Sequence, residues 1–181
     1  MALSQAQRGV LRGMLAALVV TLVAIPGVIL WQPAFLQPLP AMDLRLASAL
    51  RWNAPVLVCL VLAIGLLARH RFFTPADIDG SGLTVATDRA RLLQALLQNT
   101  LEQSVIAVLA HLLWVATTPP GWFAAVPVAA ILFTAGRVCF AAGYRGGASA
   151  RAFGFALTFY PTVLLTVVAV ARMLWLTLQA A

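Results

Sequence analysis

The sequence predicts an all-α integral membrane protein. Of its 181 residues, 62% are hydrophobic and only 9% are charged, against about 25% charged in soluble domains. Five apolar segments stand out, at about 10–31, 47–68, 92–117, 122–143 and 152–178, each near or above the ~20 residues a spanning helix needs. Lipid offers no partner to an unpaired backbone amide, so these segments are expected to be helices. They are too long and too evenly apolar for barrel strands.

The first segment follows Arg8 and Arg12, which resemble the basic start of a signal peptide. Its apolar run of about 20 residues exceeds the usual 7–15, so it is expected to be a retained span. A Pro-rich linker with Pro33, Pro38 and Pro40 follows. The second segment carries Pro55 near its start, where a missing N–H costs least. A break over 69–88 contains Arg69, His70, Arg71, Asp77, Asp79, Gly80 and Gly82. The third segment ends at the tight turn Thr117-Thr118-Pro119-Pro120-Gly121, and the fourth ends at a glycine turn with Gly146 and Gly147. Pro26, Pro127 and Pro161 fall inside spans and are expected to kink them.

All twelve basic residues are Arg, a compositional hint of a GC-rich bacterial genome. With the N-terminus cytoplasmic, inside segments hold Arg8, Arg12, Arg69, Arg71, Arg89, Arg91, Arg145 and Arg151, while the first outside loop holds Arg45 and Arg51. That asymmetry predicts five spans with the N-terminus inside, in a bacterial inner membrane. The net charge of +7 does not read as nucleic-acid binding, because no basic tract or aromatic–basic interleaving is present. Cys59 and Cys139 lie in apolar segments and form no metal or disulfide pattern; both read as inert. His111 reads as an interhelical packing residue. Trp31, Trp52, Trp114, Trp122 and Trp175 read as interfacial anchors, and Arg172 is expected to snorkel outward.

The chemistry-bearing residues are polar groups at membrane depth. Glu102 lies about ten residues into the third segment, roughly 15 Å deep at about 1.5 Å per residue, and an ionisable group there marks a candidate site. At about 100° per residue, Arg91, Gln94, Gln98 and Glu102 fall on one stripe, with Asn99 about 60° from Glu102. Arg137, Phe140 and Tyr144 share one face of the fourth segment, and Arg151 opens the fifth. Two readings of the buried charges stay open. In one, Glu102 and Arg137 form a structural ion pair; in the other, they divide a zwitterionic or anionic ligand between them. A transporter is the weaker reading, because the polar stripe stops short of the outer face and the halves show no inverted repeat.

Asn99-x-x-Glu102 on one span, followed by Arg137-x6-Tyr144-x6-Arg151 around the next corner, resembles the MAPEG family, the membrane-associated proteins in eicosanoid and glutathione metabolism. The resemblance covers about 47–178 and looks bacterial in type. It implies a MAPEG-like four-helix bundle over 41–181, with residues 1–40 as an additional N-terminal transmembrane helix and linker. It also implies a homotrimer with glutathione as co-substrate, held by Asn99, Glu102, Arg137 and Tyr144, with Arg151 beside the thiol as the catalytic group. The implied partners are membrane lipid and a lipophilic small-molecule substrate. The implied activity is that of a glutathione transferase or peroxidase; the alternative is a non-catalytic membrane scaffold or subunit, since some members have no demonstrated catalysis. The chain departs from well-studied members at Ala95, where they carry Arg, and at Phe140, where they often carry Tyr.

Overall fold

A computed structural model of the chain describes residues 3–33, 36, 39–80 and 82–180. Among the described residues the regular structure is helical, with no strand. The elements are α1 (Gln5–Trp31), α2 (Met42–Trp52), α3 (Ala54–Phe73), α4 (Asp88–Thr117), α5 (Ala125–Gly143) and α6 (Gly147–Ala180). Four stretches are long and apolar enough to cross a membrane: Gln5–Trp31, Met42–Phe73, Asp88–Thr117 and Pro120–Gln179. The second joins α2 to α3, and the last, 60 residues long, contains α5 and α6. Pro38 of the expected linker lies outside the described residues.

α1 starts five residues before its apolar run because Ser4 and Gln7 cap each other. Ser4 Oγ accepts from the Gln7 amide at 3.2 Å, and the Ser4 amide donates to Gln7 Oε1 at 2.8 Å. It ends at Gln32, whose left-handed backbone lets its amide reach the Val28 carbonyl at 3.0 Å. One face of α1, through Gly9, Gly13, Ala17 and Thr21, lies along α6. The approach is close: a Cβ on Gly13 would sit 2.9 Å from the Phe153 amide nitrogen. Ser149 Oγ also donates to the Ala6 carbonyl at 3.0 Å. Gly9 meets Ser149, Gly13 meets Phe153 and Ala17 meets the Ala156–Leu157 level, so α1 and α6 run parallel.

The second segment is two helices. The break falls at Asn53, just before Pro55, which occupies the first turn of α3 as expected. Asn53 is buried and fully engaged. Its Nδ2 donates to the Ala49 carbonyl at 2.8 Å, and its Oδ1 lies 2.8 Å from Nδ1 of buried His111. His111 is therefore the interhelical residue expected of it. The α3–α4 connection is tied by Asp77, whose carboxylate accepts from the Thr87 amide at 2.9 Å and the Thr87 hydroxyl at 2.6 Å, and meets His70 Nε2 at 2.9 Å. The Thr87 hydrogen bonds, then His70, hold this carboxyl below its ordinary pKa.

Pro127 is not a kink. α5 begins at Ala125, so Pro127 sits in the first turn, where its amide has no intrahelical acceptor to lose. α5 and α6 form an antiparallel hairpin that closes on glycine: a Cβ on Gly136 would meet Thr158 Cγ2 at 2.7 Å, and one on Gly154 would strike the backbone of Phe140. This contact brings Arg137, Tyr144 and Arg151 to one end of the bundle.

At the opposite end the structure corrects two expectations, for Arg45 and for Trp114. Arg45 is not in a loop; it lies in α2, buried, donating from Nη1 to the Thr118 carbonyl at 3.0 Å and the Val115 carbonyl at 3.3 Å. Arg172 reaches the same end of α4, where its Nε donates to the Thr117 carbonyl at 2.8 Å. Both guanidiniums meet the unsatisfied carbonyls and negative dipole end of α4. Trp114 is core rather than anchor, stacked on Trp122 with centroids 5.7 Å apart and its Nε1 donating to the Trp122 carbonyl at 3.0 Å.

Candidate functional site

The polar groups of the third, fourth and fifth apolar segments meet where α4 crosses the α5–α6 hairpin. Arg137 is 5% exposed, so its guanidinium must be satisfied from within the protein. Its Nη1 donates to Asn99 Oδ1 at 2.8 Å and its Nη2 to Thr158 Oγ1 at 3.1 Å. Its flat face lies 4.4 Å from the Phe140 ring centroid. Three helices are thereby joined through one side chain.

The structural pairing of Glu102 with Arg137 is not formed. Glu102 lies on the exposed face of α4, and its Oε1 accepts from Gln98 Nε2 at 2.8 Å. Among the described residues the ion pairs are His70–Asp77 and Asp88–Arg91. The reason is rotational: Asn99, one turn along and offset around the helix, reaches the guanidinium, while Glu102 faces outward from the protomer.

Asn99, Tyr144 and Arg151 do converge. They line one cleft of about 410 Å³ together with Phe140 and Phe155. Arg151 does not open α6 as expected but lies one turn inside it, since the helix starts at Gly147; it is half-buried, with its guanidinium 4.5 Å from the Tyr144 ring centroid. Tyr144 in turn meets Phe140 edge-on, with centroids 5.3 Å apart. The cleft thus has one cation and a few polar groups set in aromatic walls, the usual make-up of a small-molecule site. Arg137 lies behind Asn99, and Glu102 lies outside the cleft wall.

Two lining residues, Val10 and Met14, come from α1. They were not anticipated, because α1 reads by composition as an independent span. The spacing Gly9-x3-Gly13-x3-Ala17 is the one signal that could have placed α1 against another helix. Ala95, where an arginine was missed, borders a different cavity of about 350 Å³ on α4, lined also by Arg71, Arg91, Gln94 and Gln98. There Arg71 Nη2 donates to Gln94 Oε1 at 3.1 Å, so a guanidinium from α3 stands across from Ala95. Sequence proximity pointed only to Arg91 and Gln94.

Searches of curated proteins and of solved structures returned no match. A scan against family models matched the model described as MAPEG family over residues 49–171. The matched region begins after α1 and contains Asn99, Glu102, Arg137, Tyr144 and Arg151. On that match, together with helices long and apolar enough to cross a membrane, this chain is an integral membrane protein that belongs to the MAPEG family.

Proposed function

We propose that the protein is a membrane-bound, glutathione-dependent transferase or peroxidase, and that Arg151 is its catalytic residue. The observation that carries this reading is the shared cleft of Asn99, Tyr144 and Arg151, with one guanidinium in aromatic walls. A guanidinium beside a thiol favours the thiolate by Coulomb attraction, and the thiolate is the nucleophile. In the transferase reaction the thiolate of glutathione attacks an electrophilic carbon. A C–S bond forms and the leaving group departs with the bonding pair. In the peroxidase reaction it attacks the outer oxygen of a lipid hydroperoxide; the O–O bond breaks and the alkoxide takes a proton. A second glutathione then completes the disulfide and releases water. Asn99 and Tyr144 supply polar contacts to the tripeptide, and Arg137 fixes the Asn99 amide by its hydrogen bond. Glu102 joins the site in a homotrimer, where a neighbouring protomer covers the open face of α4 and the carboxylate receives the glutathione ammonium.

In this reading the chain crosses the membrane five times. α5, with 19 residues, is about 28 Å long at about 1.5 Å per residue, close to the ~30 Å hydrocarbon core. The parallel course of α1 and α6 fits an even number of reversals between them. The arginine asymmetry supports a cytoplasmic N-terminus with the cleft on the same side, and the membrane proposed is a bacterial inner membrane.

The test is conjugation of glutathione to a hydrophobic aryl halide by the purified protein, with Arg151→Ala alongside. The reading requires turnover in the parent and loss in the variant. A second reading, a non-catalytic membrane subunit, is favoured by the neutral partners of Arg137, which serve to join α4, α5 and α6. It predicts neither turnover nor any rise in melting temperature with glutathione.

A further inference from the structure

A second slot runs down the other side of the Arg137–Phe140 stack, along the seam of α3 and α4. On α3 it follows Cys59, Ala63, Leu66, Arg69 and Phe73; on α4 it follows Arg89, Leu93, Leu96 and Thr100. These positions recur at three- and four-residue intervals, so each set is one helix face. The slot has two parts that share Leu66 and Leu93 and are therefore continuous. The outer part, about 240 Å³, is bordered by Arg69, His70 and Arg89. The inner part, about 200 Å³, is largely apolar, opens on the side of the bundle beside exposed Leu62 and Val138, and ends against Arg137 and Phe140. It exists because Cys59, Ala63, Thr100 and Ala141 are too small to fill the seam.

We propose that this slot binds one anionic glycerophospholipid, its phosphate between Arg69 and Arg89 and one acyl chain in the groove below. The charge at the mouth is unbalanced. Arg69 and Arg89 are exposed and have no acidic partner among the described residues, since Asp77 is engaged by Thr87 and His70, and Asp88 by Arg91. The depth also fits. Arg69 and Cys59 are ten residues apart on one helix, about 15 Å at about 1.5 Å per residue, which is half of the ~30 Å hydrocarbon core. A cation pair at headgroup level above an apolar channel one leaflet deep is the profile of a lipid, and basic pockets between membrane helices are known to take anionic headgroups. The slot is walled off from the Arg151 cleft, so the inference stands apart from glutathione chemistry.

The experiment uses the full chain, purified in detergent and stripped of lipid, with melting temperature as the readout. Dioleoyl phosphatidylglycerol is expected to raise the midpoint saturably, by about 3 °C or more beyond dioleoyl phosphatidylcholine. Arg69→Gln with Arg89→Gln removes that increment while leaving the midpoint in phosphatidylcholine within about 1 °C, and Arg69→Lys with Arg89→Lys retains part of it. Arg8→Gln with Arg12→Gln retains all of it. Ala63→Trp or, if that variant is not folded, Leu66→Trp fills the channel and abolishes the increment. Glycerol phosphate, a headgroup without chains, gives no shift. The proposal is overturned if the increment survives loss of both mouth arginines or falls equally with Arg8 and Arg12. It is also overturned if glycerol phosphate reproduces the increment, or if a Leu62→Cys variant crosslinks efficiently to a second copy, which would make the slot an interface between copies.

Discussion

Two sets of arginines, one at each end of the bundle, are used in opposite ways. At the end where α4 stops, Arg45 and Arg172 donate to the carbonyls of Val115, Thr117 and Thr118, beside a core of Ile25, Trp114, Phe123 and Leu165. At the other end Arg151, Arg69 and Arg89 border open spaces and take no backbone carbonyl among the described residues, although Arg91 there donates to the Ala86 carbonyl at 3.1 Å. An arginine that donates to the carbonyls of a helix terminus is a cap; one left at a cleft mouth keeps its donors for a ligand. Arg137 stands between the two types: its Nη groups are used on Asn99 and Thr158 rather than on a helix terminus, and its Nε, like that of Arg45, is buried without a partner among the described residues.

This contrast can be broken by experiment. The largest expected effect is on turnover. Arg151→Ala should lower glutathione conjugation about 100-fold, the scale of losing one charge stabiliser at a reacting centre, with the melting temperature nearly unchanged. A drop in stability without a drop in turnover would place Arg151 among the caps. Next is Arg45→Ala, which strands the Thr118 and Val115 carbonyls and should cost about 2 kcal/mol of stability. Denaturation in detergent measures it, and turnover per folded molecule should hold. Gly13→Val is expected to cost about 1–3 kcal/mol by forcing α1 off α6. Because Val10 and Met14 wall the cleft, it should also change the ranking of aryl halides of different size; an unchanged ranking would show that α1 is only scaffold.

The smallest effect is a pH dependence. The Asp77 carboxyl titrates below its ordinary value of about 3.9, held there by Thr87 and His70. A depressed carboxyl stabilises the fold fully above its unfolded pKa, and that contribution is lost as pH falls through the folded one. Melting curves should therefore weaken below about pH 4, and Asp77→Asn should flatten that fall. A slope unchanged in Asp77→Asn would assign the acid sensitivity elsewhere.

Much of the site was legible because membrane depth makes polar residues conspicuous. Asn99, Tyr144 and Arg151 stand out against their neighbours, and their spacing carried the family resemblance before any fold was at hand. The partner of Arg137 was not legible. A carboxylate on the next helix is the expected counter-ion, yet the rotation of α4 presents the Asn99 amide and leaves Glu102 on Gln98. Val10 and Met14 were missed for a related reason: nothing in an apolar helix says which neighbour it will lie against, apart from the small residues Gly9, Gly13 and Ala17. Arg45 looked like a loop charge because the apolar run begins only at about 47, whereas the helix that carries it starts at Met42.

From the sequence alone came the solvent, the helical character of the apolar segments and the residues that make this a MAPEG chain. Those follow from bilayer thickness and backbone hydrogen bonding, which act on each segment by itself. The tertiary structure decided which polar groups share a cleft, which arginines become caps and that α1 is a wall of the site. Those depend on how each helix is rotated and how closely its neighbours approach, and that is settled by glycine contacts and hydrogen bonds between segments far apart in the chain.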